Sequence, residues 1–155
     1  MSAPAVRLRP ALASDALTLW RWRNDPQTRA ASFSGVTVEL AEHERWLQET
    51  LGRADRRLYV ANADGRDVAT ARLDVQGAEA VVSLTVAPEW RGRGLATRVL
   101  RALVAEAFGA PGLRRLVARV KPDNAASRAA FERAGFTPAG DDEGELVLVH
   151  ERPRS

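Results

Sequence analysis

Residues 81–97, VVSLTVAPEWRGRGLAT, constrain this chain more than any other stretch, because a β-branched run passes into an arginine- and glycine-rich loop that opens a helix. Arg91, Gly92, Arg93 and Gly94 stand just ahead of a helical run over residues 95–108. Several backbone N–H groups can therefore converge on one anion at the positive end of the helix dipole. The expected ligand is a phosphorylated cofactor. A backbone that wraps a phosphate often needs positive φ, and a Cβ aimed at the anion would hold it away, which is the reason for glycine at 92 and 94. The dinucleotide fingerprint, with three glycines at other spacings, does not fit, nor does the NTP loop with its Lys-Ser or Lys-Thr. Taken alone, the RGRG segment also has a bland reading as a solvated basic turn.

Two segments together narrow the reading. Residues 91–96 run Arg, two variable residues, Gly, one variable residue, Ala; some thirty residues on, segment 124–136 carries Asn124, Ser127, Phe131 and the pair Gly135-Phe136. In this order and spacing they resemble the two signature segments of the GNAT family of N-acetyltransferases. The resemblance implies a mixed α/β (α+β) domain over residues 1–155, with about seven strands and about four helices. It also implies a sheet splayed between its fourth and fifth strands, here residues 80–86 and 113–120. Acetyl-CoA would be the cosubstrate. Its pantetheine arm would lie beside Leu84, Thr85 and Val86 like an added strand. Its diphosphate would rest on the backbone of Arg91, Gly92, Arg93, Gly94, Leu95, Ala96 and Thr97, with Asn124, Ser127 and Phe131 completing the cofactor set. Asn124 has a second reading as N-cap of its helix, Phe131 as plain core, and the long Arg91 and Arg93 side chains as solvated.

The implied chemistry is direct attack of an amine on a thioester, with a backbone N–H near Val86 facing the developing oxyanion. The leaving thiolate then needs an acid. Family members often carry Tyr where this chain has Phe131, so Ser127, one helical turn earlier on the same face, is the candidate, directly or through water. Its other reading is a small residue packed on the cofactor arm. The base is less defined. Ser83 holding a water, Glu79, Asp74, Glu42, Glu44 and His43 all stand as candidates; His43 has the suitable intrinsic pKa of about 6.5, with an ordinary packing histidine as the alternative.

Acceptor choice is expected in the N-terminal third, which reads WRWRNDPQTRAASF and then EHERWL. That combination resembles bacterial enzymes that acetylate amino-sugar nucleotides and, more loosely, those that acetylate protein N-termini. Arg23, Arg29, His43 and Trp46 would offer phosphate pairing and a stacking face. The alternative is that Trp20, Trp22 and Trp46 are core and the arginines solvated. An acyl-CoA-binding module that has lost catalysis along with its tyrosine is a third functional reading.

Composition bounds the rest. At 155 residues the chain supports one sizeable core. It has no Cys, which excludes disulfides and thiolate chemistry, and only two His, which argues against a histidine metal centre; no metal is expected. The net charge of +3 is spread, with acids interleaved among arginines and Lys121 as the only lysine, which is not a nucleic-acid footprint. No apolar run is long enough to span a bilayer and no signal core is evident, so a cytoplasmic enzyme acting on a small-molecule amine is expected, as monomer or homodimer.

Along the chain, residues 6–9 read as a strand and Ser14 as the N-cap of a helix ending near Asn24, followed by a short helical or irregular stretch. After a loop SFSG, Thr37 is expected to cap a helix to Leu51 with Leu40, Trp46, Leu47 and Leu51 on one face. Residues 57–61 and 67–74 suggest a hairpin over the turn 62–65. Strand 80–86, helix 95–108, strand 113–120, helix 125–134 and strands 136–140 and 145–150 complete the reading.

Overall fold

The structure is a computed structural model that describes residues 5–31 and 35–154. Its elements in chain order are β1 (Val6–Pro10), α1 (Ala16–Asn24), α2 (Pro26–Ala31), α3 (Leu40–Leu51), β2 (Arg56–Ala63), β3 (Arg66–Gln76), β4 (Glu79–Val86), α4 (Leu95–Gly109), β5 (Arg115–Val120), α5 (Ala125–Arg133), β6 (Thr137–Asp142) and β7 (Glu145–Glu151). Single 3-10 turns precede α1 and α4. Seven strands form one sheet in the order β1-β2-β3-β4-β5-β7-β6. Every neighbouring pair is antiparallel except β4 with β5, which is the pair that a helical crossover must join. Crossover helix α4 runs between them.

That parallel pair is short. Only Glu79 with Arg115, Ala80 with Leu116 and Val81 with Val117 are in register, after which the two strands part. The expected splay is present, and its lips are the C-terminal halves of β4 and β5.

One sheet face packs on α4 and α5, the other on α1 and α3. On α4, Leu95, Val99, Leu100, Leu103 and Ala107 recur at helical spacing and are buried with Val68, Leu73, Leu116 and Leu148. Complete burial of each such leucine stabilises by about 2 kcal/mol. A smaller cluster of Leu19, Trp22, Leu47, Leu58, Val60 and Ala87 joins α1 and α3 to the other face.

Several local expectations change. Ser14 does not cap α1; Asp15 is its N-cap residue and instead accepts the Leu12 N–H at 2.7 Å and both terminal nitrogens of Arg9 at 2.8 and 2.9 Å. A doubly held carboxylate outcompetes a hydroxyl for that corner. The Arg9 hydrogen bonds hold Asp15 below the usual carboxylate range although burial opposes them. Thr37 lies outside α3, whose N-cap is Glu39 without a side-chain bond. The entry is pinned instead through Val38, whose N–H donates to the Asn24 side chain at 2.8 Å and whose carbonyl accepts from Trp20 and Asn24, each at 2.7 Å. Leu51 is exposed, because the helix turns His43, Leu47 and Thr50 inward. The hairpin is longer than expected, its strands running to the two-residue turn Asp64-Gly65, where φ is 51° and 77°. Of the SFSG loop, residues 32–34 lie outside the described residues.

The Gly135-Phe136 pair closes the core. Gly135 has φ of +102°, and a Cβ there would sit 2.9 Å from Nε2 of His150, whose ring is wedged between Phe108 and Phe136. Gly135→Ala is expected to cost about 1–3 kcal/mol in urea unfolding; a change under about 0.5 kcal/mol, the range of an ordinary surface site, would show that neither the backbone nor the ring is held.

Candidate active site

The phase of β4 decides what the splay offers. Ala87 N–H donates to Val68 O at 2.8 Å and Ala78 O accepts from Arg115 N–H at 3.2 Å. Backbone groups alternate in direction along a strand. Odd-numbered residues such as Thr85 therefore turn to β3, and the even-numbered Leu84 and Val86 turn their N–H and C=O to the side from which β5 has departed. Two donors and two acceptors thus line the cleft at strand spacing, and an extended amide-bearing arm is the ligand such an edge suits.

At the mouth of the cleft, the chain passes through Gly92 at φ +76° and Gly94 at φ +73° into the first turn of α4. No heavy atom lies within 4 Å of a Cβ built at either glycine, so both face open space. The first-turn N–H groups of α4, on Leu95, Ala96 and Thr97, have no intrahelical acceptor. Phosphate oxygens suit this cradle. Both arginine side chains make other contacts. Arg91 binds Asp25 Oδ2 at 2.7 Å, Gln27 Oε1 at 3.1 Å and Thr28 Oγ1 at 2.6 Å. Arg93 lies over the Trp90 ring, 4.7 Å from its centre.

On the opposite lip, Asn124 caps α5 by accepting the Ser127 N–H at 3.1 Å. Ser127 is half-buried in the first turn. Phe131, on the same face, is buried in the core and meets Phe136 edge to face at 5.1 Å. The one tyrosine, Tyr59, is on β2 and is also buried in that core cluster.

A second space opens on the α1/α3 face of the sheet, with a cavity of about 310 Å³ that reaches Ser83, Leu84 and Thr85 of β4. That volume falls at the low end of small-molecule sites. Register explains its floor: Leu58, Arg72 and Ser83 form one cross-strand row, and Thr70 sits opposite Thr85 in the next. Leu19, Trp22 and Arg23 of α1 with Glu42, His43 and Trp46 of α3 form its walls. His43 is only 6% exposed, and its Nε2 has no hydrogen-bond partner among the described residues. Burial, then the positive charge of Arg23, pushes the His43 imidazole below its ordinary pKa, so it is neutral at pH 7. Its ring leans on Trp46 at 5.3 Å, and Arg72 covers Trp46 from 5.6 Å while binding Asp74 at 3.0 Å.

Of the acceptor-side candidates, Arg23, His43 and Trp46 come together in this cavity, and Arg29 does not: it lies on α2 with its Nε donating to Asn24 O at 3.2 Å. Among the base candidates, Ser83, Glu42 and His43 line the cavity. Glu79 is at the paired end of the sheet beside Arg115, 3.9 Å away, because it begins β4 whereas the splay is at that strand's other end. Asp74 is held by Arg56 and Arg72 and does not line the cavity, and Glu44 is exposed on the outer face of α3. Thr70 and Arg72 escaped the sequence reading, since only the β2-β3-β4 register reveals them.

A sheet edge opened for an extended arm, a phosphate cradle at its mouth and a side cavity that meets the edge at mid-strand suit the class of transferases that join an extended phosphorylated cosubstrate to a second reactant. The family model described as an acetyltransferase (GNAT) domain matches residues 5–137, and the chain belongs to that family. Similar solved structures include an aminoglycoside acetyltransferase AAC(6')-Ib in complex with coenzyme A and kanamycin, at 22% identity and TM-score 0.83, covering 96% of this chain and 95% of that one. A spermidine N-acetyltransferase from Vibrio cholerae with CoA and spermine is 16% identical at TM-score 0.85, with 95% of both chains covered. RimL, a ribosomal L7/L12 alpha-N-protein acetyltransferase with CoA, is 17% identical at TM-score 0.82, covering 95% of this chain and 94% of that one. The protein is thus an acetyltransferase of the GNAT family.

A carboxylate placed at Gly94 would sit in the phosphate cradle with no heavy atom within 4 Å of its Cβ, at the cost of local backbone strain from φ of +73°. Gly94→Glu is expected to raise the acetyl-CoA Kd by about tenfold or more in calorimetric titration, the effect of about 1.4 kcal/mol, with an unchanged far-UV spectrum. Unaltered affinity would remove the cradle from the binding site.

Proposed function

We propose that the enzyme acetylates the primary amine of a small acceptor that also carries an anion, and that an amino-sugar nucleotide is the acceptor class. One observation supports this reading above others: the cavity that reaches mid-β4 is lined by Arg23, by Arg72, which also binds Asp74 outside the lining, and by one carboxylate, Glu42, with Trp22 and Trp46 as aromatic walls. Kanamycin and spermine are polycations, and a site for either would be expected to set several carboxylates around the amines. The arginines here favour a phosphate or carboxylate on the acceptor, and the aromatic walls favour a ring.

In this reading, His43 is the base. With its proton on Nδ1, the neutral imidazole offers the Nε2 lone pair to the acceptor amine. The amine loses one proton to Nε2 as the new N–C bond forms and the C–S bond breaks; the imidazolium is disfavoured by burial and by Arg23, so it returns its proton to water readily. Ser83 and Thr85, on the cavity floor, hold the acceptor or a water beside the amine. The Val86 N–H, turned into the cleft, faces the carbonyl oxygen as charge develops there. The departing thiolate takes its proton from water, either directly or relayed by the Ser127 hydroxyl on the opposite lip, which regains from that water the proton it passes on; this balances the proton that His43 releases.

Free thiol released from acetyl-CoA reads the reaction. A 4-amino-sugar nucleotide is expected to turn over, and spermine and kanamycin to give rates near background. Turnover with Ser- or Ala-starting peptides alone would overturn the acceptor class in favour of protein N-termini, the reading to which the likeness to RimL adds weight.

His43→Gln is expected to lower kcat by about a hundredfold, the smaller end of what a positioned base contributes, and to remove the acidic limb of the kcat profile attributable to this group. Because the His43 pKa is depressed, that limb lies below pH 6.5, and the rate is on its plateau at neutral pH. The same sign governs stability: the unfolded chain binds the proton more tightly, so the His43 contribution is fully present above about pH 6.5 and lost as pH falls through the folded value. A wild-type acidic limb unchanged in His43→Gln would exclude it as base.

A further inference from the structure

The segment between α1 and α2 connects parts of the molecule that the sheet leaves apart. Asp25 ends α1 and opens α2, where its carboxylate accepts the N–H groups of Gln27 and Thr28, each at 3.1 Å. The same Oδ2 is 2.7 Å from Arg91 Nη1, in the loop that follows β4, and Arg91 also grips the Gln27 and Thr28 side chains. One turn later, the Ala30 carbonyl accepts from Lys121 Nζ at 2.9 Å, and Lys121 is the residue after the last of β5. Segment 25–30 therefore runs as a strap from the β4 lip to the β5 lip, joining strands whose own pairing stops at Val81 and Val117.

The strap is continuous with the acceptor wall. Leu19, Trp22 and Arg23 of α1, which face the cavity, precede Asp25 by a turn or two of helix. Arg91 stands next to Gly92, so any adjustment of the phosphate loop is passed through a short, charge-assisted bond to the end of α1. The Asp25 and Arg91 side chains are 18% and 24% exposed, which limits screening by solvent.

We propose that Asp25 is a positioning residue: through Arg91 it makes the placement of α1, and with it the acceptor cavity, depend on occupancy of the cofactor loop. Linkage makes the effect reciprocal, so an acceptor seated against α1 tightens the cofactor loop by the same factor. The cofactor itself rests on backbone N–H groups, so cutting the tie uncouples the two sites without removing the cradle.

The test uses the full chain and coenzyme A as the only ligand, so it does not depend on which acceptor the enzyme takes. Asp25→Asn keeps an oxygen that caps α2 and removes the ion pair; Arg91→Gln removes it from the other side. Hydrogen–deuterium exchange is followed in residues 16–24 with and without coenzyme A, beside a direct measurement of coenzyme A affinity. In the wild type, coenzyme A is expected to slow exchange across α1 by about fivefold, the low end of usual coupling between sites. That slowing is lost in either variant and in the double variant to the same extent, Asp25→Glu retains part of it, and affinity falls by no more than the coupling factor. Retained slowing in Asp25→Asn and Arg91→Gln would overturn the proposal, as would losses that add in the double variant. Absence of any binding to the wild type would instead strike at the cofactor site itself.

Discussion

Only three residue pairs join β4 to β5 within the sheet, and the rest of the enzyme depends on where that pairing stops. Helix α4 connects the two strands and packs Val99, Leu100 and Leu103 beneath them, so the strands are joined at the base and cannot drift apart. Past Val81 and Val117 they diverge, and β4 enters the cleft with Leu84 and Val86 turned away from β3. An exposed strand edge is normally a liability that invites pairing with another chain. Here it lies inside the sheet and leads to the glycine loop, so the same unpaired groups suit an extended cosubstrate.

The second half of the site follows from the opposite face of the same strand. Ser83 and Thr85 alternate with Leu84 and Val86, so the residues that look away from α4 meet the cavity under α1 and α3. One strand thus borders both spaces, its free backbone groups facing the splay and its Ser83 and Thr85 side chains the cavity, which is the arrangement the proposed reaction uses. Arg23 also acts on His43, adding to burial in keeping the imidazole neutral.

Much of this was legible in the sequence. The element order and the glycine loop come from local patterns: β-branched runs, a strand-loop-helix boundary, and glycines whose positive φ is visible as residue type; the seven-stranded sheet and its splay come from the resemblance of segments 91–96 and 124–136 to the family's signature segments. What was not legible depends on register or on distance along the chain. Arg72 joins the cavity because it sits opposite Leu58 and Ser83, and period-2 alternation alone does not say which face of a buried sheet has room. Glu79 and His43 were comparable as carboxylate and imidazole; only the direction of the splay separates them. The Asp25–Arg91 pair links residues far apart in sequence, and no local spacing announces it. Capping failed for a related reason: at Ser14 and Thr37 the local hydroxyl lost to Asp15 and Asn24, which bond groups brought from other elements.

The account rests on the direction of the β4 backbone, and amide exchange resolved residue by residue reads it most directly. Added acetyl-CoA is expected to protect the N–H of Leu84 and Val86 and to leave Thr85, already bonded to β3, nearly unchanged. Protection of Thr85 with no effect on Leu84 and Val86 would contradict the account, because it would place the cosubstrate elsewhere than along the opened edge of β4.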